Sequence, residues 1–401
     1  MEFPQELVEA IFDLTDRKSV RNLALTAHRF VPFCRRILFS KVRLCPSKLY
    51  GIHIQDRAQQ LVDILQVSPQ ITQFMRDVEM DVDTLPFPGF EELLLVCMAH
   101  MTSPHRVAFD GRRKSWDSFS PELVDAITTM IRRPTLCACS LLSVEGFPFS
   151  VFNNSQFHTL ELREVSFSLS GKPASSLLPV IVRPIRLRHL EYVTPSSPTA
   201  VVLCSDSVQQ LCVGFDLSNL KSLALTITQH IPEIATLLTD CSKSLQSLTF
   251  CGEIAVDLSP LSRIRNLVLD VYINSTSFKN DTAPLLVSID DNAPLLVSIA
   301  TLKTLDPSRS MLRNVTLDLC LTKDGIRLFS ADTWHSFDIT LFRLLKDRHP
   351  PGTVTLKLGS LWNEATRDVY SEFMMKLPKC QEAGLLVHSA TPGSWTIRAP
   401  R

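Results

Sequence analysis

Apolar positions at the start of the chain fall at helical steps. Leu7, Val8, Ile11 and Leu14 recur three and four residues apart, and Pro4 suits a first turn, so the pattern predicts an amphipathic helix over residues 4–14. Thr15-Asp16-Arg17-Lys18 interrupts that stripe, and Asp16 or Ser19 can cap a second helix carrying Val20, Leu23, Ala24 and Ala27. A third helix over residues 29–39 sets Phe30, Phe33, Ile37 and Leu38 among Arg29, Arg35 and Arg36. Three helices in about forty residues sit at the lower limit of independent folding. Such a unit is expected to gain much of its stability from another surface.

Downstream, helical stripes alternate with short strands, an α/β pattern. Leu61, Val62, Ile64 and Leu65 share a helix ahead of a strand at Val78, Met80 and Val82, and a helix over 90–100 precedes a strand at 107–109. Ser120-Pro121-Glu122 supplies a cap, a first-turn proline and an acid at the positive end of a helix through Leu123, Ile127 and Ile131, followed by a strand over 136–141. Strand centres follow at Leu160-Glu161-Leu162, Leu190-Glu191-Tyr192, Leu211-Cys212-Val213, Leu223-Ala224-Leu225, Leu248-Thr249-Phe250 and Leu267-Val268-Leu269. Three more lie at Val315-Thr316-Leu317, Val354-Thr355-Leu356 and Leu385-Leu386-Val387. Trp334 and Phe337 lead a helix through Leu341, Leu344 and Leu345 that Pro350 and Pro351 stop, and Pro378 is read as ending another after Phe373, Met374 and Leu377. Most centres stand about 20 to 30 residues apart, the range of leucine-rich repeats, and the leucines of each Leu-x-Leu would point into a stacked core. The interval widens to 48 residues between Leu267 and Val315, and no asparagine ladder is visible. The expected architecture is an irregular leucine-rich-repeat-like solenoid over residues 46–390, with a plain layered α/β domain as the competing reading and 391–401 as a loose tail.

Composition narrows the function. The chain has 401 residues, 41 basic against 41 acidic, and so no global field to hold nucleic acid or an anionic membrane. With 45% hydrophobic residues it is far from the disordered class. The opening Met1-Glu2-Phe3-Pro4 has no basic leader, no apolar run approaches a membrane span, and eleven cysteines form no even disulfide framework. A cytoplasmic or nuclear location is expected. Among 12 glycines none lie closer than Gly352 and Gly359, so no dinucleotide, phosphate-loop or nucleophile-elbow motif can be written. Cys137-Ala138-Cys139 and the pair His100 and His105 lack zinc-ligand spacing. Arg112-Arg113-Lys114 reads as a solvated loop, and Asp77, Glu79, Asp81 and Asp83 as the acidic face of a half-buried strand. No catalytic residue, cofactor site or metal site is expected. Residues 281–290 and 291–300 are identical at eight of ten positions, a short duplication read as an insertion between repeats.

The first segment carries a resemblance. Phe3-Pro4-Gln5-Glu6-Leu7-Val8-Glu9-Ala10-Ile11 resembles the opening Leu-Pro-x-Glu-Leu-x-x-x-Ile of the F-box. Ser19 to Phe30 is similar to the middle segment of that family, and Arg36-Ile37-Leu38-Phe39-Ser40-Lys41-Val42 to the close of its fungal members. It departs at Phe3, usually leucine, and at Phe30, more often tryptophan. The resemblance covers residues 2–44 and implies a three-helix module, residues 1–45, that binds the Skp adaptor of a cullin-based, SCF-type ubiquitin ligase. The implied adaptor-binding residues are Pro4, Leu7, Ile11, Leu14, Val20, Leu23 and Phe30. The repeat body would then hold an unidentified protein substrate, with no catalysis of its own. The alternative is a repeat scaffold outside any ligase, whose first helices only cap the solenoid.

Overall fold

The computed structural model describes residues 11, 14–26, 28–44, 54–82, 89–168, 184–194, 201–227, 231–252, 254–272, 293–320, 330–347, 352–358, 375–391 and 394–398. The protein is mixed α/β, its strands almost all parallel, and it separates into two compact units, Met1–Ile185 and Arg186–Arg401. The expected 1–45 module falls inside the first unit. Pro4, Leu7, Ala27, Asp83, Pro350, Pro351, Phe373, Met374 and the first duplicated copy lie outside the described residues.

In the first unit, helices α1 (Arg17–Thr26) and α2 (Val31–Phe39) lead into β1 (Lys41–Leu44). Then come α3 (Ile54–Val67), β2 (Asp77–Asp81), α4 (Phe90–His100), β3 (Arg106–Ser115), α5 (Pro121–Ile131), β4 (Ala138–Glu145) and β5 (Thr159–Arg163). The five strands pair parallel in chain order, which requires a crossover between each pair. Register aligns Val42, Val78, Val107, Cys139 and Leu160 in one row, and Leu44, Met80, Phe109, Leu141 and Leu162 in the next. Every member of both rows is buried. Parallel sheets covered on both faces have near-continuous apolar strands. Here apolar and polar positions alternate, so one face is covered and the other is left to solvent. The predicted start of α5 is as read, with Ser120 Oγ accepting from the Leu123 N–H at 3.1 Å.

The second unit repeats the plan. The strands of its large sheet are β6 (His189–Val193), β7 (Ser222–Ile227), β8 (Ser247–Gly252), β9 (Asn266–Tyr272), β10 (Asn314–Cys320), β11 (Thr353–Leu358), β12 (Leu386–Thr391) and β13 (Ser394–Arg398). β6 to β12 pair parallel in chain order, and β13 closes antiparallel on β12. Leu190, Leu223, Leu248, Leu267, Val315 and Val354 form one buried row. The helices are α6 (Val201–Gly214), α7 (Glu233–Cys241), α8 (Ala293–Lys303), α9 (Ala331–Leu345) and α10 (Pro378–Glu382).

One contact recurs at strand entries in both units. The carbonyl just before a strand accepts two successive N–H groups of the next: Ser40 from Arg76 and Asp77, Arg76 from His105 and Arg106, His105 from Cys137 and Ala138. Lys221 accepts in the same way from Gln246 and Ser247, and Gln246 from Arg265 and Asn266, at N···O distances of 2.8–3.0 Å. Cys137, Arg188 and Arg265 accept in the same way, and the residues Met75, Leu136, Leu187, Leu220, Leu245 and Ile264, which immediately precede six of these acceptors, are each at most 1% exposed. The unit is therefore a hexad with apolar residues at its first, fourth and sixth places, as in Leu220-Lys221-Ser222-Leu223-Ala224-Leu225. Its first apolar position is one that the Leu-x-Leu reading passed over.

Three sequence expectations are corrected. Leu211-Cys212-Val213 is the end of α6, not a strand; Val208 and Leu211 are buried one helical step apart while Val213 is exposed, a pattern that three consecutive apolar residues conceal. Residues 394–398 are not a loose tail but β13, whose Trp395 and Ile397 are too few to show a period. Pro378 begins a helix rather than ending one. It occupies the first turn of α10, and Asp338, fully buried in α9, accepts from the Lys379 and Cys380 N–H groups at 2.8 and 3.0 Å. That cap comes from 41 residues away in sequence. Replacing Asp338 with alanine strands both donors, and urea denaturation is expected to show a loss of about 3 kcal/mol. A loss below about 1 kcal/mol would show that α10 is capped by other means.

Candidate protein-docking site

Among the described residues, α1 and α2 share a small core. Val20 and Cys34 are its buried centre, and Leu23, Ala24, Phe30, Phe33, Ile37 and Leu38 pack on them only partly covered. Asp16 starts α1 as expected, accepting from the Lys18 and Ser19 N–H groups at 2.9 and 3.0 Å and from Ser19 Oγ at 2.6 Å. The Ser19 hydroxyl bond, then the Ser19 backbone bond, hold the Asp16 carboxyl below its ordinary pKa.

The structure thus brings Val20, Leu23 and Phe30 together and leaves two implied contacts apart. Ile11 is 55% exposed and Leu14 90% exposed. Leu25, which no sequence reading marked, is 87% exposed on the outer side of α1. Cys34 was also missed, because a lone cysteine among arginines gives no periodic signal; burial raises its thiol pKa. Elsewhere burial pushes Cys97 and Cys241 up to about 12, which leaves them poor nucleophiles.

The outer sheet face of the first unit is a network of paired charges. Lys41 reaches Asp77 at 3.5 Å and Glu79 at 3.8 Å, and Arg43 meets Glu79 at 2.8 Å. Arg106 spans the small Ala138 to Glu161 at 2.9 Å, and Ser140 Oγ donates to the same carboxylate at 2.7 Å. Asp81 departs from the expected acidic face: its side chain is 3% exposed, and Arg112 covers it with Nη2 at 2.7 Å and Nε at 2.8 Å. The β3–β4 register breaks between Asp110 and Lys114, where Arg112 and Arg113 take φ values of 52° and 64°. Such left-handed residues cost roughly 1–2 kcal/mol each. Arg113 is held in turn by Glu164 at 3.1 Å. A Cβ on Gly111 would come within 2.7 Å of Val144 Cγ2, so this bulge needs glycine.

The outer face of the second unit is different. At the strand entries Ser222, Ser247, Asn266, Asn314 and Thr353 lie in register. Asn314 Nδ2 donates to Asn266 Oδ1 at 2.7 Å, and Thr353 Oγ1 donates to Asn314 Oδ1 at 2.6 Å. A short amide and hydroxyl ladder therefore exists, on the outer face rather than in the core. The next row runs Glu191, Ala224, Thr249, Val268, Thr316 and Thr355, and the row beyond it carries Asp270, Asp318 and Lys357. On the helical side, a cleft of about 460 Å³ lies along α8 and α9, floored by Leu302, Leu305 and Leu344 and edged by Lys303, Asp332 and Arg343.

Among the described residues no three His, Cys, Asp or Glu side chains converge as metal ligands, and no helix is long and apolar enough to cross a membrane. No protein-family model matches the chain, and no curated protein matches it. The paired charges make a graded prediction. Arg112→Ala leaves Asp81 buried without its main counter-ion and is expected to cost about 2–3 kcal/mol, less than for a fully buried pair because Arg112 is half-exposed. Arg43→Ala, at a more exposed pair, is expected to cost under about 1 kcal/mol. Equal losses in chemical denaturation would contradict this account.

Proposed function

We propose that the chain is the substrate-recognition subunit of an SCF-type ubiquitin ligase, with an F-box-like module at residues 1–45 and a leucine-rich-repeat-like solenoid behind it. The observation that carries the first half is the residue pattern from Phe3 to Phe39, joined to the exposure of Ile11 and Leu14 beside the small described core of Val20 and Cys34. An interface of ordinary size covers ~800 Å² on each partner, enough for these side chains. In this reading the Skp adaptor supplies the missing cover and links the chain to the cullin scaffold. The second half is supported by the recurring hexad, by strands that pair parallel in chain order, and by a sheet covered on one face only. The outer sheet face would hold the protein substrate. The receptor's contribution to ubiquitin transfer is then positioning, which raises the local concentration of target lysines without supplying an acid, base or nucleophile. The reading carries with it a cytoplasmic or nuclear site of action and no cofactor.

The test is co-purification with purified Skp adaptor. Ile11→Asp with Leu14→Asp changes only exposed positions, so the fold is expected to persist by circular dichroism while adaptor retention falls at least tenfold. Equal retention of variant and wild type rejects the adaptor role.

A second reading has one observation in its favour. The α2 helix packs against the 3-10 turn Pro69–Phe74 and against β1, as a cap on the first strand would. If capping is its whole purpose, residues 50–401 expressed alone should aggregate, and the full chain should ignore the adaptor. A receptor body with a separate docking module should stay soluble.

A further inference from the structure

The duplicated decapeptide poses a problem that α8 has to solve. Residues 283–289 and 293–299 are the same seven residues, Ala-Pro-Leu-Leu-Val-Ser-Ile, and the second copy opens α8. Its inward positions are Leu295, Ser298 and Ile299, each at most 5% exposed. Moving the chain by ten residues would bring Leu285, Ser288 and Ile289 to those places, an identical set. Leu295 would in turn replace Leu305, again leucine for leucine. Asp290 would replace Ala300, which is exposed and tolerates the change. Up to this point the two registers are equivalent.

They part over the next turn. Thr301 and Leu302 are both 0% exposed, and the slipped register would put Asp291 and Asn292 there. Thr301 Oγ1 accepts from the Val256 N–H at 3.1 Å, and Thr304 Oγ1 accepts from the Leu258 N–H at 2.8 Å. Thr304 also returns its hydroxyl to the Thr301 carbonyl at 2.7 Å. In the slipped register Thr304 becomes Pro294, which has neither hydroxyl nor N–H. Burying a carboxylate and an amide where a threonine and a leucine fit, and losing the contact to Leu258, disfavours the slip by roughly a hundredfold or more.

We infer that Thr301, Leu302 and Thr304 form a register lock that keeps α8 from slipping by ten residues onto the preceding copy of its own sequence. The lock has a consequence for the surface. Slippage would exchange Lys303 and Leu302, which line the cleft along α9, for Ala293 and Asn292, removing a cation from its edge and an apolar side chain from its floor. The composition of that cleft is therefore a readout of register.

Hydrogen–deuterium exchange of the full chain, read by mass spectrometry on peptides that join 285–289 or 295–299 to their differing flanks, tests the lock. In the wild type, protection is expected at 295–299 alone. Thr301→Asp, Leu302→Asn and Thr304→Pro together give the second copy the first copy's residues at the three lock positions, so protection should fall at 295–299 and rise by roughly tenfold at 285–289. Loss at 295–299 with no gain at 285–289 would mean simple destabilisation and would overturn the inference. A reciprocal variant leaves Thr301, Leu302 and Thr304 in place: Asp291→Thr, Asn292→Leu and Pro294→Thr give the first copy the lock residues. It should divide protection between the two copies, and protection confined to 295–299 would again overturn the proposal.

Discussion

A carbonyl that serves two N–H groups at the entry of the next strand is the contact on which the rest of the structure depends. It sets where each strand begins relative to its neighbour, and so it sets register. In a strand the side chains alternate faces, and a slip of one residue would turn every leucine of the row outward. With register held, Leu223, Leu248, Leu267 and Val315 stack in one buried line despite intervening segments of very different length. The long interval before Val315 is absorbed outside the ladder. Irregular spacing and regular pairing are compatible because pairing is decided at the strand entry, not by the loop.

Covering only one sheet face has a second effect. The open face must satisfy its own polar groups, and the two units do this differently. In the first, charged side chains neutralise one another across strands, and Asp81 under Arg112 shows how far that pairing can go, reaching a carboxylate nearly closed to water. In the second, hydroxyls and amides bond along the entry row, mostly small side chains follow, and Asp270, Asp318 and Lys357 line the row beyond. A face of paired charges resists partners that lack matching geometry, because separating the pairs leaves charges unsatisfied.

Among the described residues of the N-terminal segment, Val20 and Cys34 are buried, six further apolar side chains pack on them partly covered, and Leu14 and Leu25 are exposed.

Much of this was legible from pattern alone. The α/β alternation, the helix over 90–100, the Ser120 cap and the leucine pairs at Leu223, Leu248 and Leu267 all follow from interactions that are local or periodic. Val20, Leu23 and Phe30 were also within reach, since helical steps mark an inward stripe. Pattern did not reach Cys34, the Arg112 cover of Asp81, or the cap that Asp338 lends to α10, because each joins residues whose separation carries no period. It misread Leu211-Cys212-Val213 for a related reason: three apolar residues look alike in a strand and in the last turn of a helix, and only the packing of Val208 and Leu211 tells them apart. Sequence by itself determined which residues seek the interior and at what period. The tertiary structure alone decided which distant polar groups meet, since a hydrogen bond or ion pair depends on distances that chain order does not encode.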